Sequence, residues 1–136
     1  MKITYRILYV LFLIIACNGA LAQSTTKHQS VLYINVIINY EGKIKIKDNV
    51  LNLNEVQVYT RNYVRQQPAF KYNGVVYRVY ADEDLELGTI MDLEQELQKA
   101  FEGKRERYLL NTKTVTLDEP DLWNKLKTLE IKAVKD

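Results

Sequence analysis

The chain has one cysteine, one histidine and five glycines among its 136 residues, and each scarcity removes a class of chemistry. Cys17 has no second cysteine to pair with, so no intrachain disulfide forms and stability must come from the core. His28 lies in a polar stretch, Gln23 to Ser30, where nothing rigid orients it, so a histidine-dependent triad or metal site lacks its central part. Without a cysteine beyond position 17, and with glycines scattered, thiolate zinc sites and glycine-rich phosphate loops are missing too. No cofactor is expected. Nor is one sign of charge in excess: setting aside Lys2 and Arg6, the 19 basic residues become 17 against 17 acidic. An electroneutral body argues against nucleic acid as a partner, which requires Lys and Arg concentrated on one face.

What is present is ordinary globular material. Apolar residues make up 47% of the chain and charged residues 26%, too hydrophobic a balance for disorder, and the length suits one domain. The N-terminus carries an address. Lys2 and Arg6 precede or open onto an unbroken apolar run of 11 residues, Ile7 to Cys17. A membrane-crossing helix needs about 20 such residues and a secretory signal about 7–15, so residues 1–22 read as a signal peptide. Ala20-Leu21-Ala22 has the small-x-small form that signal peptidase accepts, which would release a periplasmic or secreted protein beginning at Gln23. Ile14-Ile15-Ala16-Cys17 competes as a bacterial lipobox with Cys17 acylated, and an uncleaved anchor reaching Ala22 is a third route. Membrane contact is expected only through such an anchor or lipid.

Residues 23–30 read as a flexible leader. Val31 to Tyr40, rich in β-branched and aromatic residues, predicts a largely buried strand. Lys43 to Lys47 alternates strictly, placing Ile44 and Ile46 on one face and three lysines on the other, which predicts a half-exposed edge strand joined to the first through Glu41-Gly42. Asn52 or Asn54 can cap a helix carrying Leu53, Val56, Tyr59, Tyr63 and Val64 and ended by Pro68. Asn73-Gly74 marks a turn before a central strand, Val75 to Ala81. Leu85 to Phe101 carries the clearest helical stripe, with Thr89 as cap and Gly103 as left-handed terminator. Arg107 to Thr112 reads as a strand, Lys113 to Leu117 as a sheet edge or short hairpin, and Asp118 to Asp121 as the start of a helix holding Leu122, Trp123, Leu126 and Leu129. The order predicts an α+β fold over residues 31–117: a single small sheet of four to five strands, parallel where helices connect them, with two helices packed on one face. A C-terminal helical extension, residues 118–136, follows.

Candidate interaction residues fall into three groups. Lys43, Lys45 and Lys47 line the predicted edge, where they either guard against unwanted strand pairing or receive a partner strand. Asp82, with Glu83 and Asp84, could offer oxygen ligands to Ca²⁺, but consecutive residues alternate direction, which favours a solvated strand-to-helix turn. Tyr77 and Tyr80, with Tyr59, Tyr63 and Tyr72, suit a sheet–helix core boundary or, less readily, a protein-binding surface, and Trp123 reads as a packing anchor.

The hairpin Ile34 to Ile46, with its Tyr40-Glu41-Gly42-Lys43-Ile44 turn, and the stretch Val76-Tyr77-Arg78-Val79-Tyr80-Ala81-Asp82 leading through Leu87-Gly88-Thr89-Ile90-Met91-Asp92 into a leucine-rich helix resemble the periplasmic domain of the ExbD/TolR family. Tyr108 to Thr112 is similar to that family's last strand, so the resemblance covers about residues 31–117. It implies two helices on one sheet face, dimerisation, and a place in inner-membrane energy-coupling assemblies that drive outer-membrane transport or maintain integrity. The chain departs from the pattern in having Leu87 where an aromatic is common and no acidic residue before Glu41, hence no proton-carrying aspartate in an N-terminal helix. The expected function is a non-enzymatic periplasmic binding or assembly module whose partners are envelope proteins or a second copy of the chain. A secretin- or transducer-type N-terminal domain, and a small secreted enzyme using carboxylates, are the alternatives.

Overall fold

In the computed structural model, which describes residues 30–135, the β-branched run forms β1 (Ser30–Ile38). The signal segment, both cleavage sites, Cys17 and leader residues 23–29 lie outside the described residues. Asn39 then organises the turn: its side-chain oxygen accepts from the backbone N–H groups of Glu41 and Lys43 at 3.1 and 2.9 Å. Gly42 takes the positive φ of 76° that this tight reversal demands. The chain returns as β2 (Ile44–Ile46), turns over Lys47 at φ 55°, and adds β3 (Asn49–Leu51).

Asn52 caps α1 (Leu53–Gln66), with the Glu55 carboxylate reaching back to the Asn52 backbone N–H at 2.7 Å. β4 (Tyr72–Asp82), α2 (Leu87–Ala100) and β5 (Lys104–Leu110) follow, then the short α3 (Leu122–Leu126) and β6 (Lys132–Val134). The result is α+β, a single mixed sheet in the order β3-β2-β1-β4-β5-β6. β1, β4 and β5 run parallel, as helix crossovers require, and β2, β3 and β6 are antiparallel to their neighbours.

The sheet has six strands, not four to five, because two three-residue segments join its ends. Lys47-Asp48 makes a two-residue hairpin turn where only a strand end was expected, and Lys132–Val134 fills the slot beside β5. That occupied slot is also why Lys113 to Leu117, expected as an edge strand or hairpin, is instead a series of turns crossing over the sheet. α2 begins two residues before Thr89, at a Glu86 cap, and its end does not use a left-handed Gly103. Gly103 is needed for closeness: a Cβ there would sit 2.7 Å from the Val75 carbonyl oxygen. The Gln98 side chain closes the helix end, bonding the Gly103 N–H and carbonyl at 3.1 and 2.7 Å.

Each face of the sheet has its own core. Leu32, Ile34, Val36 and Ile38 of β1 meet Val75, Tyr77, Val79 and Ala81 of β4 under Val56 of α1 and Ile90, Leu93 and Leu97 of α2, so both long helices cover one face. On the other face Ile37, Leu110, Val115, Leu117, Leu122 and Leu126 cluster, with Tyr80, Trp123, Leu129 and Ile131 against them. The C-terminal extension therefore packs on the back of the sheet, covering the end where β1, β4 and β5 finish. Burying one such large aliphatic side chain contributes about 1.5–3 kcal/mol, so both clusters matter to a chain without disulfides.

Candidate functional site

The pleat of β4 separates the two candidate tyrosines onto opposite faces. Tyr77 is fully buried under the helices, and its hydroxyl donates to the Phe101 carbonyl at 2.7 Å. Burial pushes its phenol up to about 12. A folded-state value above the ordinary 10 means that the stability from this group is complete below about pH 10 and is lost as pH climbs toward 12. Tyr77→Phe is expected to cost about 1 kcal/mol at neutral pH through the lost hydrogen bond. It should also flatten the alkaline limb of unfolding, which urea midpoints measured from pH 8 to 12 would show.

Tyr80 faces the back of the sheet and belongs to a polar–aromatic array in register across three strands. The rung Ile37, Tyr80, Tyr108 lies beside the rung Asn35, Arg78, Glu106, and next comes Tyr33, Val76, Lys104. Tyr80 stacks on Tyr108 with ring centroids 5.1 Å apart, and Trp123 of α3 tilts against Tyr80 at 6.4 Å. The Arg78 guanidinium lies 3.9 Å from the centroid of the Tyr33 ring and donates through Nε to Glu106 Oε2 at 3.0 Å. Tyr108 donates to the same oxygen at 3.1 Å. Burial raises the Glu106 carboxyl, but the bonds from Arg78 and Tyr108 and the Arg78 and Lys104 charges outweigh it and hold the group below its ordinary range. Burial, and then the Glu106 contact, raise the Tyr108 phenol. At pH 7 the array therefore holds one ion pair, Arg78 with Glu106, and one further positive charge at Lys104. Only part of it is covered: α3 sits over Tyr80, whereas Tyr33 is 47% and Val31 36% exposed. Asn35 Oδ1, in the same array, is buried without a hydrogen-bond partner among the described residues.

The lysine trio does not form one surface. Lys45 is 5% exposed, its ammonium donating to the carbonyl of Leu117 and, at 3.3 Å, that of Glu119. Alternation does send it away from the isoleucines, but that side of β2 is roofed by the C-terminal extension, and β3 occupies the edge. Lys43 pairs with Glu41 at 3.2 Å in solvent, an arrangement worth little. Lys47 sits in the β2–β3 turn, with its ammonium 5.3 Å from the Tyr63 ring centroid and its carbonyl accepting from the Trp123 indole N–H at 3.0 Å.

Asp82 is likewise not part of a solvated turn. It is 1% exposed and accepts from the Thr112 backbone N–H at 2.8 Å, the Thr112 hydroxyl, and the Asp84 N–H at 2.9 Å. Burial raises its carboxyl, but these bonds and the Lys113 charge prevail, leaving it below the ordinary value. Glu83 and Asp84 do point outward, near Lys132 at 3.5 Å and Lys113 at 2.6 Å. Among the described residues no three His, Cys, Asp or Glu side chains converge as a metal would need, and no helix is long and apolar enough to cross a membrane.

Sequence reasoning passed over Tyr33, Arg78, Glu106 and Tyr108. The signal was available in Lys104 to Tyr108, whose alternation sends Arg105 and Arg107 to one face and Glu106 and Tyr108 to the other, but the dense charge reads as loop. Comparison with protein-family models gives no match, and neither does comparison with the curated proteins.

Proposed function

We propose that this chain is a non-enzymatic binding and assembly module of the bacterial envelope, built like the periplasmic domain of ExbD/TolR proteins, and that it docks a protein partner on the open half of the sheet's back face. The observation that carries the reading is the open face itself. Parallel strands are as a rule covered on both sides, yet among the described residues β1, β4 and β5 are covered behind only where the C-terminal extension crosses. The remainder presents Val31, Tyr33, Arg78 and Tyr108, the aromatic and arginine composition in which protein interfaces are enriched. Both long helices lie on one face of the sheet, the one feature of the arrangement implied by the family resemblance that the reading draws on.

The test combines sedimentation of the full chain with a photo-crosslinker placed at position 33 or, as a control on exposed α2, at position 91. Crosslinks from 33 to one envelope protein or to a second copy, absent from 91, are expected. Arg78→Glu should weaken that association tenfold or more, as loss of a central interface residue does. A strictly monomeric chain that crosslinks equally poorly from both positions would sink the proposal.

A further inference from the structure

The helix-bearing side holds a separate feature. Where α1 and α2 end, above the N-terminal ends of β1 and β4, a cleft of about 600 Å³ opens. Its floor is apolar, made by Leu32, Val75 and Ala100, with Val64 and Phe101 as walls. Arg61 and Arg65, one helical turn apart, stand at its rim, and among the described residues no Asp or Glu lines it.

The electrostatics favour an anion there. Both helices point their C-termini at the cleft, which by itself would repel negative charge. Several of those carbonyls are taken: Tyr63 accepts from the Gln67 side-chain amide at 3.2 Å, Val64 from the Gln67 N–H at 3.1 Å, Leu97 from the Phe101 N–H at 3.2 Å, and Lys99 from Arg61 at 3.3 Å. Arg61 retains further donors, since a guanidinium has five N–H groups. Arg65 is exposed and pairs with no carboxylate among the described residues. A peptide strand is a poor fit. β1 and β4 are paired from Ser30 and Tyr72 onward, and Ser30 is tied to the Lys71 carbonyl at 3.1 Å, so the floor offers no free strand edge. The volume lies within the range of small-ligand sites. At roughly 30 Å³ for a water-sized group it holds about twenty such groups, enough for one long acyl chain.

We propose that this cleft binds a single-chain anionic amphiphile, its acyl chain lying over Leu32, Val75 and Ala100 and its carboxylate against Arg65 and Arg61. The site is independent of the back face. Titration calorimetry of the purified full chain with palmitate is expected to give one-to-one binding, and hexadecanol, with the same chain but no charge, should bind at least tenfold more weakly. Arg65→Glu should weaken palmitate binding tenfold or more, and Ala69→Trp, at an exposed position on the cleft mouth, should abolish it with an unchanged melting temperature. The apolar N-terminal run is common to all three proteins, so it does not produce a difference between them. Equal binding by the parent and both variants, equal binding of acid and alcohol, or no palmitate binding would overturn the proposal. Co-sedimentation with phosphatidylglycerol vesicles without binding of free palmitate would also overturn it, by assigning the arginines to a membrane surface.

Discussion

Glu94→Ala is expected to destabilise the fold by about 3 kcal/mol, at the lower end of what breaking a buried ion pair costs. Glu94 is 1% exposed on α2 and receives Arg107 through two bonds of 2.8 Å, with Arg105 at 3.3 Å. Removing the carboxylate takes from the mostly buried Arg107 guanidinium the acceptor of two short charge-assisted bonds. Arg105 contributes less because it is half in solvent. In a domain with about 5–15 kcal/mol in total, this would lower the melting temperature by roughly 10 °C or more. Urea unfolding checks it, and a double variant, Glu94→Leu with Arg107→Met, should recover most of the loss by replacing ions with apolar packing. A single variant costing under about 1 kcal/mol would show that water reaches the pair and that the bond between α2 and β5 is weaker than its geometry implies.

Asp82→Ala should cost a comparable amount, about 3 kcal/mol, because it strips acceptors from buried donors at the root of the C-terminal extension. Thr112, held by Asp82, in turn accepts from the Tyr40 N–H at 2.9 Å, so one carboxylate joins the ends of β1, β4 and β5. Its folded value lies below the ordinary 3.8. The stability it supplies is therefore present above about pH 3.8 and is lost as pH falls through the lower folded value. Thermal melts between pH 2 and 7 should show the parent losing stability in that acid window, with a shallower loss for Asp82→Asn. A parallel pH dependence in both proteins would remove Asp82 as the acid-sensitive joint. Limited proteolysis within 113–121 should also accelerate in Asp82→Ala, since those turns depend on Thr112 for their starting point.

Much of the fold was legible because its signals are local. The β-branched run of β1, the Asn52 cap and the Ile90-Leu93-Leu97 stripe each require only neighbouring residues to be interpreted, and those elements formed where expected. Asn73-Gly74, expected as a turn, lies instead inside β4, because Gly74 pairs with Val31 of β1 and the chain turns earlier, at Ala69 to Lys71. The errors arose where a partner far along the chain decides. Lys45 alternates like a solvent-facing residue and is buried because Leu117 and Glu119, more than 70 positions later, supply its carbonyl acceptors. Asp82 reads as part of an acidic turn until Thr112 is folded against it. The charged start of β5 looks unlike a strand until Glu94 and Arg78 are seen to neutralise its two faces.

The same division applies to the candidate surfaces. The balance of charge, the poverty in cysteine, histidine and glycine, and the alternation of strands and helices follow from the amino-acid order alone, because composition and short-range periodicity do not depend on how the chain returns upon itself. Which half of the sheet stays open, and where two helix ends leave a cationic cleft, emerges from the folded arrangement. The open half depends on the path of the C-terminal extension and the cleft on the register of the parallel strands beneath the helix ends, long-range pairings whose energy comes from surfaces meeting rather than from any local preference.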